Sequence, residues 1–159
     1  SLEGRQIMDA KFINPFINAS LNLFKDYMKL SVKPGKPYVL SDPNDLQGVS
    51  AIIGLAGDTT GALVLSFSRE TAIEMVSRLE GKQYIALGAE ILDGVGEMVN
   101  IIAGNAKKDL LEYRISISLP GIITGNDYRI NWPQGVPVIS IPIESEAGPF
   151  AINVSIKEG

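Results

Sequence analysis

Residues 49–67 read VSAIIGLAGDTTGALVLSF. Two apolar runs, Val49 to Leu55 and Ala62 to Phe67, flank Gly57, Asp58, Thr59, Thr60 and Gly61. Short β-branched runs bounded by Gly and Asp predict two strands, and the brief connection predicts a hairpin. A hairpin commits the chain to antiparallel pairing, because parallel neighbours need a crossover of about a dozen residues or more.

Outward from the hairpin, Ser68 can accept an N–H at a helix start, Glu70 suits the first turn, and Gly81 supplies a stop. A second long helix is expected from Leu87 to Leu111. Strands follow at Arg114 to Ile123, Val136 to Ile143 and Phe150 to Ile156. Their turns are marked by Gly125, Asn126 and Asp127, by Pro133, Gln134 and Gly135, and by Glu146, Ala147 and Gly148.

Upstream, Tyr38 to Leu40 reads as a short strand between Pro34, Gly35 and Pro37 on one side and Ser41, Asp42, Pro43 and Asn44 on the other. Phe12, Phe16, Ala19, Leu23, Tyr27 and Leu30 recur at helical spacing and predict an amphipathic helix over Met8 to Leu30. Its start has two readings. Asp9 caps a helix that tolerates Pro15 in an early turn, or Asn14 is the cap with Pro15 at the first helical position.

The order is long helix, strands, helix, long helix, strands. It gives an α+β fold of two pseudo-repeated halves, with long helices packed on a mainly antiparallel sheet. Residues 8–159 are expected to form one domain. Residues Ser1 to Ile7, ahead of Met8, read as an expression remnant or an upstream extension.

Composition removes several kinds of chemistry. The chain has no Cys and no His, which excludes disulfides, thiolate nucleophiles, imidazole bases, catalytic triads and most transition-metal sites. Only carboxylates, amides, hydroxyls, Lys and Arg remain, or groups borrowed from a partner. Lys and Arg number 14 against 18 Asp and Glu, with no basic cluster, which argues against nucleic-acid binding. The apolar run at Val49 is too short to span a bilayer and no signal peptide is visible, so a cytoplasmic protein without membrane insertion is expected.

On the second long helix, Asp93, Glu97, Asn100 and Gly104 fall within a sector of roughly 60° at about 100° per residue. Leu92, Val95, Val99, Ile102 and Ala106 lie nearly opposite. A helix with one buried face needs polar residues on the other, so the stripe alone is first explained as a solvated face. Gly104 costs about 1 kcal/mol relative to Ala inside a helix. At the centre of the stripe it would let another backbone come close, or it serves internal packing.

The run Gly96, Glu97, Met98, Val99, Asn100, Ile101, Ile102, Ala103, Gly104, Asn105, Ala106 resembles the active-site helix of the CheC, CheX and FliY phosphatases. Asp93, Glu97 and Asn100 match that family's pattern of Asp or Ser, three residues, Glu, two residues, Asn. The Gly-Asn-Ala segment at 104 to 106 and the opening Phe12, Ile13, Asn14, Pro15, Phe16 are most similar to the CheX branch, and the layout agrees over roughly Met8 to Ile156. The family motif also carries a downstream proline. Pro120 is the obvious candidate, but it follows Asn100 by 20 positions, a shorter spacing than the family's, so it is left outside the predicted site and read as a strand-edge residue. Setting Asn14 opposite Asp93 puts Asn18 opposite Glu97 and Leu21 opposite Asn100, so the first helix lacks a second acid–amide pair.

The resemblance implies a CheC-like fold and a phosphatase that dephosphorylates the aspartyl phosphate of a CheY-like receiver domain in chemotaxis or two-component signalling. Asn100 would orient the attacking water, Glu97 would anchor the receiver's lysine, and Asp93 and Gly104 would contact the partner. The resemblance also implies a homodimer with joined sheets. No cofactor of its own is expected, and magnesium would belong to the receiver.

Three other readings stand beside it. One is a non-catalytic dimer that docks on receivers or the flagellar switch, and another is a structural domain. The third uses Asp93 and Glu97 as acid and base on a small substrate, against which stands the convex surface expected of adjacent helical turns.

Overall fold

The structure is a computed structural model and describes residues 10–42, 46, 48–125 and 130–159. Met8, the Asp9 cap, residues 1–7 and the turn residues Pro43, Asn44, Asn126 and Asp127 lie outside the described residues. Three helices, α1 (Ala10–Leu21), α2 (Arg69–Glu80) and α3 (Ala89–Lys108), pack on one eight-stranded sheet. Its strands are β1 (Val32–Pro34), β2 (Tyr38–Val39), β3 (Gly48–Gly57), β4 (Thr59–Phe67), β5 (Ile115–Ile117), β6 (Gly121–Gly125), β7 (Ile139–Ser145) and β8 (Phe150–Glu158).

Every pairing is antiparallel. The central pair is β4 with β8, flanked by β3 and β7. The first two strands of each half cross over: β1 and β2 pair with β7, while β5 and β6 pair with β3. Two halves of the order helix, two short strands, hairpin share one sheet, as the α+β expectation had it, and the crossing of their short strands, which was not expected, interlocks them.

The predicted hairpin forms with Val49 opposite Phe67 and Leu55 opposite Gly61. Its connection is tighter than expected, with only Asp58 between the strands. Gly57 has φ +98°, and a β-carbon there would stand 2.3 Å from the Arg114 carbonyl oxygen, so glycine meets both the conformation and the space. Alternation along the strands sorts the two faces. Val49, Ala51, Ile53, Leu55, Leu63, Leu65 and Phe67 join the core beneath the helices. On the other face, Asn153 Nδ2 donates to the Val64 carbonyl at 3.3 Å and to Ser66 Oγ at 3.2 Å, beside a smaller cluster of Leu46, Val64 and Ile130.

Helix α2 has the expected ends: Ser68 Oγ accepts the Thr71 N–H at 3.1 Å, and Gly81 takes φ 66° at the C-cap. The first helix agrees with the reading that tolerates Pro15 in an early turn. It is already helical at Asn14, so Asn14 is no cap and Pro15 lies inside. After Leu21 it widens into a π-helix over Asn22–Tyr27, where the Met28 N–H reaches the Leu23 carbonyl at 2.9 Å. The wider turn moves the buried row onto Phe24 and leaves Tyr27 exposed, against the uninterrupted α-helical spacing. Lys11 fastens this helix to the end of β8 through Glu158 at 3.2 Å. Tyr113 donates to the same carboxylate, and these two bonds, the tyrosine's first, hold Glu158 below the usual carboxylate range.

Other boundaries move as well. Val32–Pro34 is a strand, because a proline is tolerated at a sheet edge where its missing N–H is not needed. The strand expected over Val136 to Ile143 runs Ile139–Ser145, and the segment at Tyr38 is two residues long. No helix among the described residues is long and apolar enough to cross a membrane.

Candidate functional site

Helix α3 buries Ile91, Val95, Met98, Val99, Ile102 and Ala106 against the sheet and neighbouring helices. Glu90 in its first turn and Lys107 and Lys108 in its last complement the helix dipole. Asp93, Glu97 and Asn100 are exposed together on the opposite side, and Gly104 is half-buried in line with them. None of the three polar side chains bonds to another described residue. They are free to engage a second molecule.

What faces them was not anticipated. The strand expected over Arg114 to Ile123 is broken into β5 and β6. Leu55 pairs with Ile117 and Ile52 with Gly121, so two residues of β3, Ile53 and Gly54, stand opposite three, Ser118, Leu119 and Pro120. This is a β-bulge. Ser118 stabilises it: its Oγ accepts the Gly54 N–H at 2.8 Å and donates to the Leu119 carbonyl at 3.0 Å, and its own N–H reaches the Gly54 carbonyl at 3.0 Å. Pro120 lacks an N–H, which suits a bulge and not a paired position. The extra residue reverses the alternation, so Ile122 and not Ile123 packs with the core on the helix side.

The bulge forms the second wall of an open groove of about 370 Å³ along α3. Asp93, Glu97 and Asn100 line one wall with Gly96 and Leu92, and Leu119, Pro120 and Ile122 line the other. One expectation is corrected here. The helix does not present a bare convex surface, and Leu92, half-buried and packed against the core as its place on the apolar side implied, also lines the edge of the groove. Pro120, set aside on its spacing along the chain, is adjacent in space. A β-carbon at Gly96 would stand 3.3 Å from Ile122 Cδ1, slightly tight, and 3.6 Å from Pro120 Cγ, an ordinary contact, so the helix and the bulge meet closely at this position. The one available signal was a proline inside an otherwise strand-like run.

Chemically the groove is lopsided. One wall carries two carboxylates and a carboxamide, while the facing wall is apolar and no lining residue is basic. Among the described residues no group of three or more carboxylates is gathered to hold a metal ion. The site can accept hydrogen bonds, pair with a cation and orient a small polar molecule, and its lining holds no hydroxyl, thiol, amine or imidazole. On the far flank of α3, Asn22, Leu23, Tyr27, Ile101 and Asn105 line a second groove of about 310 Å³. At the equivalent place in the first half, α1 carries Asn18 and Leu21, which supply no acid–amide pair.

Gly104 contrasts with Gly96, since nothing lies within 4 Å of a β-carbon placed there. Gly104→Ala is therefore expected to stabilise the fold by about 1 kcal/mol through helix propensity. That should raise the melting temperature by roughly 2–4 °C, readable by circular dichroism. A lowered melting temperature would mean that the position is packed.

Comparison with known proteins identifies the family. Residues 49–144, more than half the chain and including all of α3 and the bulge, match the family model described as chemotaxis phosphatase CheX. The chain is 30% identical over 155 residues to the CheY-P phosphatase CheX of Thermotoga maritima, covering 96% of this chain and 99% of that protein. Its fold superposes on a CheC-like superfamily protein from Shewanella sp. PV-4 with a TM-score of 0.84 at 29% identity, covering 94% of this chain and 99% of that one. It also superposes on the CheX–CheY–BeF3–Mg2+ complex from Borrelia burgdorferi with a TM-score of 0.79 at 28% identity, covering 92% and 98%. With the acid–amide helix, the interlocked halves and this agreement along nearly the whole chain, the protein belongs to the chemotaxis phosphatase CheX family.

Proposed function

We propose that this chain hydrolyses the aspartyl phosphate of a CheY-like receiver domain and supplies one half of an active site whose other half is the receiver. The observation that carries this reading is the pairing of Glu97 and Asn100, exposed and without partners among the described residues, on the wall of a groove with no basic lining residue. A relative has been solved together with CheY, BeF3 and Mg2+, which supports a receiver as the partner.

An aspartyl phosphate is an acyl phosphate with a good leaving group. Water adds to phosphorus, the bond to the aspartyl oxygen breaks, the carboxylate is regenerated and inorganic phosphate leaves with the proton. Magnesium in the receiver would balance phosphoryl charge, leaving the phosphatase to position water in line. The Asn100 carboxamide suits this task, because its oxygen accepts from water while its NH2 donates to a phosphoryl oxygen, without adding charge. Glu97 pairs with the receiver's lysine through a charge-assisted hydrogen bond and so sets the register of the amide. Asp93, one turn earlier, adds negative charge toward the same basic partner, and the bare backbone at Gly104 admits the receiver closely.

The small-substrate reading meets an obstacle in the groove itself. It now has the concavity such a site needs, but its far wall offers only Leu119, Pro120 and Ile122 to a polar substrate. We place the activity in the cytoplasm. Two copies joining at sheet edges would form the dimer, since among the described residues β1 and β2 at one end and β5 and β6 at the other have an unpaired side.

The test is to incubate the protein with a panel of chemically phosphorylated receivers, follow phosphate loss, and record the solution mass by light scattering. Accelerated loss from at least one receiver and a two-chain mass are expected. A flat result for every receiver would overturn the enzymatic reading, and complex formation without added release would leave a docking module.

A further inference from the structure

Leu119 is 90% exposed although it sits between two strands of the sheet. Single exposed apolar residues are common and need no explanation. Two features set this one apart from Ile85 and Leu111, which are about as exposed. It walls the groove that holds Glu97 and Asn100. Its backbone is also clamped on both sides, by the Ser118 hydrogen bonds to Gly54 and to the Leu119 carbonyl, and by Pro120, which restricts the residue before it. A segment whose backbone is already held adds little backbone-ordering cost when a partner covers it.

We propose that Leu119 is a specificity-determining contact for the receiver, seating against apolar surface beside the receiver's phosphorylated aspartate while Glu97 meets its lysine. The inference rests on the receiver reading above. The two walls are complementary to one partner surface: acidic groups for a basic residue, and an apolar knob for apolar neighbours. Leu119 touches no reacting atom in this scheme and acts on binding and choice of receiver.

The experiment is steady-state phosphate release from a phosphorylated receiver by wild type, Leu119→Ser and Leu119→Met, with thermal melts of each. Leu119→Ser should raise KM by about tenfold, equivalent to about 1.4 kcal/mol of lost apolar contact, and leave kcat within about twofold. Leu119→Met should restore most of the affinity, and the melts should coincide because the side chain is exposed. An active wild type with unchanged KM in Leu119→Ser would overturn this proposal alone, as would a loss confined to kcat. A wild type inactive on every receiver would overturn the receiver phosphatase reading and this proposal with it.

Discussion

Asn100→Ala should lower kcat for receiver dephosphorylation by at least about a hundredfold while receiver affinity changes little, the loss typical when one preorganised polar group or a near-attack geometry is removed. The side chain is exposed and bonds to no other described residue, so its removal should leave the fold intact. The effect should separate from that of Glu97. Pairing a lysine sets the register of docking as well as its strength, so Glu97→Ala should raise KM and also lower kcat. Phosphate release measured over a range of receiver concentrations separates the two, and binding to a beryllofluoride-treated receiver checks affinity directly. Wild-type turnover by Asn100→Ala would remove the amide from the mechanism.

Gly94→Ala should destabilise the protein by about 1–2 kcal/mol, although alanine is the better helix former. A β-carbon at Gly94 would stand 2.6 Å from Val76 Cγ1 and 2.8 Å from Val76 Cγ2, where α2 crosses α3. Val76 is fully buried and β-branched, so it has no spare rotamer into which to retreat. Overpacking costs roughly 1–3 kcal/mol, and contacts this short with a buried neighbour put Gly94 in the upper part of that range, about 2–3 kcal/mol, against about 1 kcal/mol gained in propensity. A fall in melting temperature of about 2–8 °C is expected. Val76→Ala alone leaves a cavity, but combined with Gly94→Ala it makes room for the new methyl. The two changes should therefore fall short of additivity by about 1 kcal/mol or more in a double-mutant cycle. Additive losses would show that the crossing is looser than the structure indicates. The opposite sign expected at Gly104 makes the pair a test of which helix face is packed.

The polar stripe was legible before any coordinates, because helical periodicity is a local property and α3 is long enough to display it. The hairpin at Val49 to Phe67 was legible for the same reason, since alternation and turn chemistry act between near neighbours. Reading Arg114 to Ile123 as one strand failed because a bulge is a relation between two strands. The mismatch between Ile53–Gly54 and Ser118–Pro120 arises only once β3 supplies the opposing register. The π-helical turn at Asn22–Tyr27 escaped likewise, its spacing being compatible with a plain α-helix until the buried row moved to Phe24.

By itself, then, the sequence determined the antiparallel α+β plan, the exclusion of His and Cys chemistry, and the shared face of Asp93, Glu97 and Asn100, all of which follow from residue type and short-range periodicity. Only the tertiary structure decided that this face borders a groove, that Pro120 and Leu119 form its other wall, and that Gly96 is where the helix meets Pro120 and Ile122. Those contacts join segments some twenty positions apart through the shared strand β3. Distance in space there depends on strand pairing, which no local pattern records.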